Sequence, residues 1–122
     1  MPKFIEMDRT VTLADQLKDE GGPVVLVNTF AVPPEDADRL FAVWTGDAAI
    51  MKRQPGFIST QLHRGIAGSG TFLNYAVWET VAHFRAAFTN PEFQAQLAHY
   101  PESATASPHL FRPMAVPGIC VA

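Results

Sequence analysis

The chain has 122 residues, with 9 basic and 12 acidic side chains and a formal net charge of −3. An apolar share of 48% against 17% charged residues predicts one compact domain with a hydrophobic core and excludes a disordered chain. The weak negative charge, without a basic stripe, argues against nucleic-acid binding. A small enzyme, a ligand-binding module and an oligomer subunit remain as classes of function.

The single cysteine, Cys120, excludes an internal disulfide and a zinc site of four cysteines, and it favours a cytoplasmic protein. No apolar stretch approaches the ~18–20 residues of a membrane helix, so we expect no membrane association. The start of the chain, MPKFIEMDR, lacks an apolar segment and predicts no signal peptide. No spacing of histidines and carboxylates indicates a metal site.

Residues 1–22 are predicted to form an N-terminal extension that lies on the body of the protein or on a neighbouring subunit, and residues 23–122 a single domain. The apolar, β-branched run from Val24 to Phe30 predicts a strand. A helix follows from Pro34 to about Arg53, because proline suits the first helical position. Apolar residues at steps of three and four define its predicted core-facing side: Leu40, Phe41, Trp44, Ala48 and Met51.

The second half of the chain predicts a hairpin, a helical region and a last strand. The predicted elements are strands at 57–64 and 71–79 around the glycine-rich loop 65–70, helices at 80–88 and 90–100, a loop over ESATASP, and an edge strand at 109–121 that contains Pro113 and Pro117. The order β-α-β-β-α-β predicts an α+β fold of the ferredoxin-like type with an antiparallel sheet.

Both faces of the strand at 71–79 are apolar. Two helices can cover only one face of such a sheet, and a second copy of the same sheet is the simplest cover for the other. The pattern therefore predicts a homodimer. One face carries Phe72, Asn74, Ala76 and Trp78, and the other carries Leu73, Tyr75 and Val77.

Asn74 interrupts an apolar face, and Asn28 does the same on the first strand. A buried amide without a partner costs about 1–3 kcal/mol. Together with the indole N–H of Trp78, the two amides are suited to an apolar cleft that binds a flat aromatic ligand with a carbonyl or hydroxyl group, and Trp44 on the helix is a candidate wall. The alternative is that each amide bonds to backbone and that both tryptophans only pack.

No sequence motif identifies a residue that would accept a proton from such a ligand. His63 and His83 are the candidates, because histidine titrates near neutral pH. The alternative is that both are ordinary surface or core residues.

Three segments carry a resemblance to a known family: QPGF at 54–57, NYAVWE at 74–79 and PEF at 91–93. In this order and spacing they resemble the antibiotic biosynthesis monooxygenase family, over roughly Pro23 to Tyr100. The resemblance implies a ferredoxin-like dimeric α+β barrel. It also implies oxidation of polycyclic phenols or anthrones to quinones by O₂, without metal or flavin.

The resemblance also assigns residues. An asparagine and a tryptophan that contact substrate in such members match Asn74 and Trp78, and Phe84 stands where those members carry a tyrosine. Haem-degrading relatives use an asparagine that matches Asn28, but their haem-ligating histidine falls close to Leu97.

These observations lead to one hypothesis and its rival. The hypothesis is a homodimeric, cofactor-independent monooxygenase that oxidises a small aromatic or quinol-type substrate with O₂. The rival is a non-catalytic dimeric barrel that binds a small apolar ligand. Asn74 and Trp78 are the expected catalytic residues, and the expected substrate contacts are Asn28, Trp44, His63, His83 and Phe84.

Overall fold

The computed structural model describes the whole chain, Met1–Ala122. The strands are β1 (Lys3–Phe4), β2 (Val24–Ala31), β3 (Phe57–Arg64), β4 (Thr71–Trp78) and β5 (Thr105–Phe111). The helices are α1 (Leu13–Gln16), α2 (Ala37–Lys52), α3 (Val81–Phe88) and α4 (Pro91–Gln96), with 3₁₀ turns at Pro34–Asp36 and Leu97–His99. None of these helices combines the length and apolarity needed to cross a membrane.

The strands form one sheet in the order β1-β5-β2-β4-β3. From β2 onward the chain follows the predicted β-α-β-β-α-β order, and the pairs β5-β2, β2-β4 and β4-β3 are antiparallel. The ferredoxin-like α+β prediction is therefore confirmed. The register places Asn28 on β2 directly opposite Asn74 on β4.

The core lies between one face of the sheet and the helices. Leu40 and Phe84 are completely buried there, and Trp78 and Tyr100 are nearly so. The prediction that Phe41 faces this core is wrong, because its side chain is 56% exposed. Leu40 lies one residue earlier, about 100° away around the helix, and is the residue that points inward.

The last strand was predicted at the wrong place. It runs from Thr105 to Phe111, so the stretch predicted as a loop contributes four of its seven residues, and the residues after Phe111 leave the sheet. Pro108 is accommodated because successive residues of a strand direct their backbone groups to opposite sides. The carbonyls of Ala104 and Ala106 accept from the backbone N–H groups of Lys3 and Ile5. Pro108 therefore has its missing N–H on that same outer side, beyond the end of β1.

The N-terminal segment lies on the body of its own chain. β1 pairs with β5 in parallel, an element that the sequence did not predict. Further along, the amide of Gln16 donates to the carbonyl of Leu110 at 2.9 Å and accepts from its N–H at 2.9 Å, as a neighbouring strand would. The segment thus closes the β5 edge of the sheet.

Candidate functional site

A cavity lies between the helices and the covered face of the sheet. Fifteen of its 21 lining residues are hydrophobic, and its volume is about 60 Å³, room for a few water molecules. A ring-shaped ligand therefore fits only when half-buried lining side chains, such as Trp44 and Met51, turn aside. The polar residues of the lining are Asn28, Asp47, Thr60, Asn74 and Tyr100, together with the indole of Trp78.

The sheet wall of the cavity presents amide N–H groups. The hydroxyl of Thr60 on β3 donates to Oδ1 of Asn74 at 2.5 Å, and the backbone N–H of Ser107 donates to Oδ1 of Asn28 at 3.1 Å. Each bond occupies the oxygen of the amide and leaves its NH₂ group without an acceptor in the protein. The two amides therefore offer free N–H donors to a ligand.

Trp78 adds a third donor to the same wall. Its side chain is 1% exposed, and its Nε1 is buried without a hydrogen-bond partner. The ring is fixed edge-on between Phe57 and Phe84, with centroid distances of 5.5 and 5.8 Å. Leaving a buried N–H unpaired destabilises the protein by about 1–3 kcal/mol. A ligand oxygen that accepts a hydrogen bond from this N–H recovers that free energy on binding.

The helix wall carries a buried carboxyl group. Asp47 of α2 is 5% exposed; its Oδ2 accepts a hydrogen bond from the hydroxyl of Tyr100, and its Oδ1 has no partner. Burial raises the pKa of Asp47 to about 6, although the bond from Tyr100 acts in the opposite direction. Burial and the neighbouring Asp47 raise the pKa of Tyr100, so its phenol stays neutral. Donors thus line one wall and an acceptor lines the other.

The family profile of antibiotic biosynthesis monooxygenase matches residues 23–98, more than half of the chain. This chain belongs to the antibiotic biosynthesis monooxygenase family. The structural neighbours of this family member include SnoaB of Streptomyces nogalater, a cofactor-independent oxygenase. The two share 28% sequence identity with a TM-score of 0.66, over 82% of this chain and 98% of that one.

Two further relatives support the assignment to the antibiotic biosynthesis monooxygenase family. Tetracenomycin-F1 monooxygenase of Streptomyces glaucescens is 38% identical over 73 residues, which are 57% of this chain and 62% of that protein. The match thus spans less than two thirds of that relative's length. A protein from Shewanella loihica PV-4 is 30% identical with a TM-score of 0.68, over 79% of this chain and 98% of that one.

In this antibiotic biosynthesis monooxygenase family member, the cavity collects five of the seven residues expected at the site. Asn28, Trp44 and Phe84 line it together with Asn74 and Trp78. Phe84 is fully buried against the Trp78 ring, at the position that the resemblance matches to a tyrosine of other members, so no hydroxyl stands there.

The two histidines are not part of the cavity. His63 pairs with Leu73, and both side chains lie on the face of the sheet away from the cavity. The side chain of His63 is exposed, and its Nδ1 lies 3.3 Å from the Leu73 carbonyl. The Nδ1 of His83 lies 2.7 Å from the hydroxyl of Thr80, which also accepts from the backbone N–H of His83 as the N-cap of α3. The structure therefore places neither histidine where it could act as a base.

The sequence analysis did not predict Asp47 or Tyr100 as residues of the site. The signal for Asp47 was present, since it follows Leu40 by seven residues and Trp44 by three on the inward side of α2. A carboxylate at such a position is unusual, because ionisable groups are seldom buried without a partner. Tyr100 lies just beyond the last helical turn, where no periodicity marks its direction.

Proposed function

We propose that this protein is a cofactor-independent monooxygenase, which oxidises an electron-rich aromatic ketone, or its phenol tautomer, with O₂. The observation that carries the proposal is the set of three unpartnered N–H groups on one wall of a buried, largely apolar cavity: those of Asn28, Asn74 and Trp78. Donors fixed in a site without bulk water stabilise the anion that such a substrate forms before it reacts with O₂. The likeness to tetracenomycin-F1 monooxygenase and SnoaB supports the same chemistry.

The reaction balances without another reductant. A ring CH₂ conjugated to a carbonyl loses a proton, and the electron pair stays on the resulting anion. The anion passes one electron to O₂, and the two radicals combine to form the C–O bond of a peroxide. The peroxide takes up a proton and loses water, which leaves a second carbonyl. One oxygen atom enters the product and the other enters water, and the substrate supplies all four electrons.

The protein's part in this reaction is to bind the ring, to hold its oxygen and to exclude water. Asn74 and Trp78 lie four residues apart on the same face of β4, so both can donate to oxygens of one flat ligand. Asn28 lies beside Asn74 on the neighbouring strand and extends the row of donors. Binding requires half-buried lining side chains such as Trp44 to move, because the cavity is smaller than a polycyclic ring.

Oxygen uptake with anthrone and with dihydroxynaphthalenes tests the proposal, with the quinone product followed by absorbance. We expect Asn74→Asp, which exchanges the NH₂ donor for an oxygen at constant shape, to lower kcat by about 100-fold. Trp78→Phe removes the indole N–H and is expected to act in the same direction. Asn90→Asp is the matched control, because Asn90 caps α4 away from the cavity and aspartate caps equally well.

The results separate the proposal from its rival. Quenching of tryptophan fluorescence by anthrone without oxygen uptake would show a binding protein and overturn the monooxygenase. Equal losses in Asn74→Asp and Asn90→Asp would show that the amide of the cavity has no special part.

The same proposal includes a homodimer. On the face of the sheet opposite the helices, Val25 and His109 are already buried within the chain. The rest of this face carries an apolar patch of Val27, Leu73, Tyr75 and Val77. The first, second and fourth of these are half-buried, and Tyr75 is 44% exposed. A second copy of this face would remove a contiguous apolar surface from water.

A further inference from the structure

Asp47 is the one carboxylic acid in the lining of the cavity. Its side chain is 5% exposed, one oxygen is bonded to the Tyr100 hydroxyl, and the other has no partner in the protein. A buried acceptor without a donor is destabilising. A donor from a bound molecule that reaches Oδ1 would satisfy this acceptor.

We propose that Asp47 is the proton acceptor of the site and takes the proton from the ring hydroxyl, or the acidic ring CH₂, of an aromatic substrate whose carbonyl oxygen lies against the N–H donors of the sheet wall. This inference rests on the function proposed above. In the step, the O–H or C–H bond of the substrate breaks, the proton bonds to Oδ1, and the electron pair stays on the ring. The same proton later neutralises the peroxide anion, which returns Asp47 to the carboxylate form.

The two walls of the cavity have complementary roles in this step. The sheet wall presents N–H groups that stabilise the negative charge arriving on the ring, and the helix wall presents the carboxylate that removes the proton. The negative charge moves from the carboxylate to the ring within one apolar space. No ion has to enter from water during the transfer. The free-energy barrier of the proton transfer therefore stays low.

Tyr100 is a positioning residue for this acceptor. Its ring stacks on Phe30 at a centroid distance of 5.7 Å, and its hydroxyl donates to Oδ2 of Asp47. The bond fixes one oxygen of the carboxyl, leaves the other unpaired, and stabilises the charged form. Because the phenol stays neutral, Tyr100 supplies a hydrogen bond and no charge.

The charge state of Asp47 suits a base. Its pKa of about 6 leaves it ionised at pH 7 while keeping it more basic than an exposed carboxylate. Tyr100 is the only titratable group bonded to it. On the elements packed against α2, the remaining charged or titratable groups lie at the surface or at the start of the helix: Glu35, Asp36, His63, Arg64, Glu92 and His99.

The variant Asp47→Asn tests the role directly, with anthrone as the probe. In the wild type we expect kcat/KM to rise with pH through an inflection near 6 and then level off, because only the carboxylate accepts the proton. Asp47→Asn is expected to lose about 100-fold or more at pH 7 and to lose the inflection. Asp38→Asn, exposed on the same helix, is the matched control and is expected to keep both.

Binding must be measured beside activity. Anthraquinone, which cannot be oxidised further, is the probe for binding by quenching of tryptophan fluorescence. We expect its affinity for Asp47→Asn to stay within about three-fold of the wild type, because the asparagine keeps the shape of the site and the bond to Tyr100.

Tyr100→Phe gives an independent readout should Asp47→Asn fail to fold. Removal of the hydroxyl takes away the hydrogen bond that lowers the pKa of Asp47, so the inflection is expected to move to higher pH. A purely structural role for Tyr100 would change the melting temperature and leave the inflection where it is.

The outcomes are distinguishable. Wild-type oxygen uptake together with an unchanged rate and inflection in Asp47→Asn overturns this inference and leaves the monooxygenase standing. An absence of oxygen uptake in the wild type with every probe overturns both. A Tyr100→Phe inflection that stays near 6 contradicts the positioning role.

Discussion

Gly56 does not line the cavity, but it fixes the backbone of a strand that does. It has a φ of +85°, which is costly for any residue with a side chain, and a Cβ atom there would overlap Cγ of His83. Its carbonyl accepts from the backbone N–H of Glu79 at 2.8 Å, directly after Trp78. The PGF segment therefore fixes the end of β4, and His83 acts here as packing and not as a base.

Gly56→Ala is accordingly expected to be much worse than the same change at Gly68. Gly68 has a φ of +74°, but a Cβ atom at this position would have no neighbour within 4 Å, so Gly68→Ala reports the backbone cost alone, about 1 kcal/mol. Gly56→Ala adds displacement of the His83 ring and is expected to cost about 3 kcal/mol. Urea unfolding of both variants measures the difference, and equal costs would show that the His83 contact is readily relieved.

The β5 edge is the element whose stability depends most on the N-terminal segment. β1 covers only its first two residues, Thr105 and Ala106, and Gln16 satisfies the backbone of Leu110. The Gln16 amide also lies 3.0 Å from Nε2 of the buried His109. The side chain of Gln16 thus makes the hydrogen bonds that a longer β1 would make with this part of β5.

Gln16→Ala is expected to lower the free energy of unfolding by about 1–3 kcal/mol, because it leaves the N–H and the carbonyl of buried Leu110 without partners. Hydrogen exchange of the Leu110 amide should accelerate with it. Gln61→Ala is the control, since Gln61 is exposed and bonds only to the adjacent Leu62 carbonyl. Unchanged exchange at Leu110 in Gln16→Ala would mean that water replaces the glutamine without cost.

For the whole molecule, the apolar patch on the sheet face opposite the helices determines the proposed assembly. Tyr75 lies at the centre of this face on β4, between the outer residues of β2 and β3. A lysine there would have to be buried in the dimer without an opposite charge, which costs several kcal/mol. We therefore expect Tyr75→Lys to dissociate the homodimer into monomers.

Light scattering after gel filtration measures that change in mass. Phe41→Lys is the matched control, because Phe41 is an apolar residue, 56% exposed, on the helical side of the molecule. A wild-type protein that elutes as a monomer, or a Tyr75→Lys variant that remains a dimer, would contradict the assembly proposed from this face.

The elements could be predicted from the sequence wherever the pattern was local. β2, α2, β3, β4 and the helical region after Thr80 follow from hydrophobic periodicity and from the prolines and glycines between them. β5 was misplaced because alanine, serine and proline in ASP carry no strand signal, and its strand conformation depends on β2 and β1 as neighbours.

The sequence by itself determined the fold class, membership of the family and the donors of β4, because alternation along a strand is a local property that assigns Asn74 and Trp78 to one face. The register of β2 against β4 then added Asn28 to the same row of donors. Only the tertiary structure decided which groups face that row. It brought together Asp47 and Tyr100, which are 53 residues apart, and it turned His63 and His83 away. The physical reason is that burial and pairing of an ionisable group arise from the packing of distant elements, which no local pattern encodes.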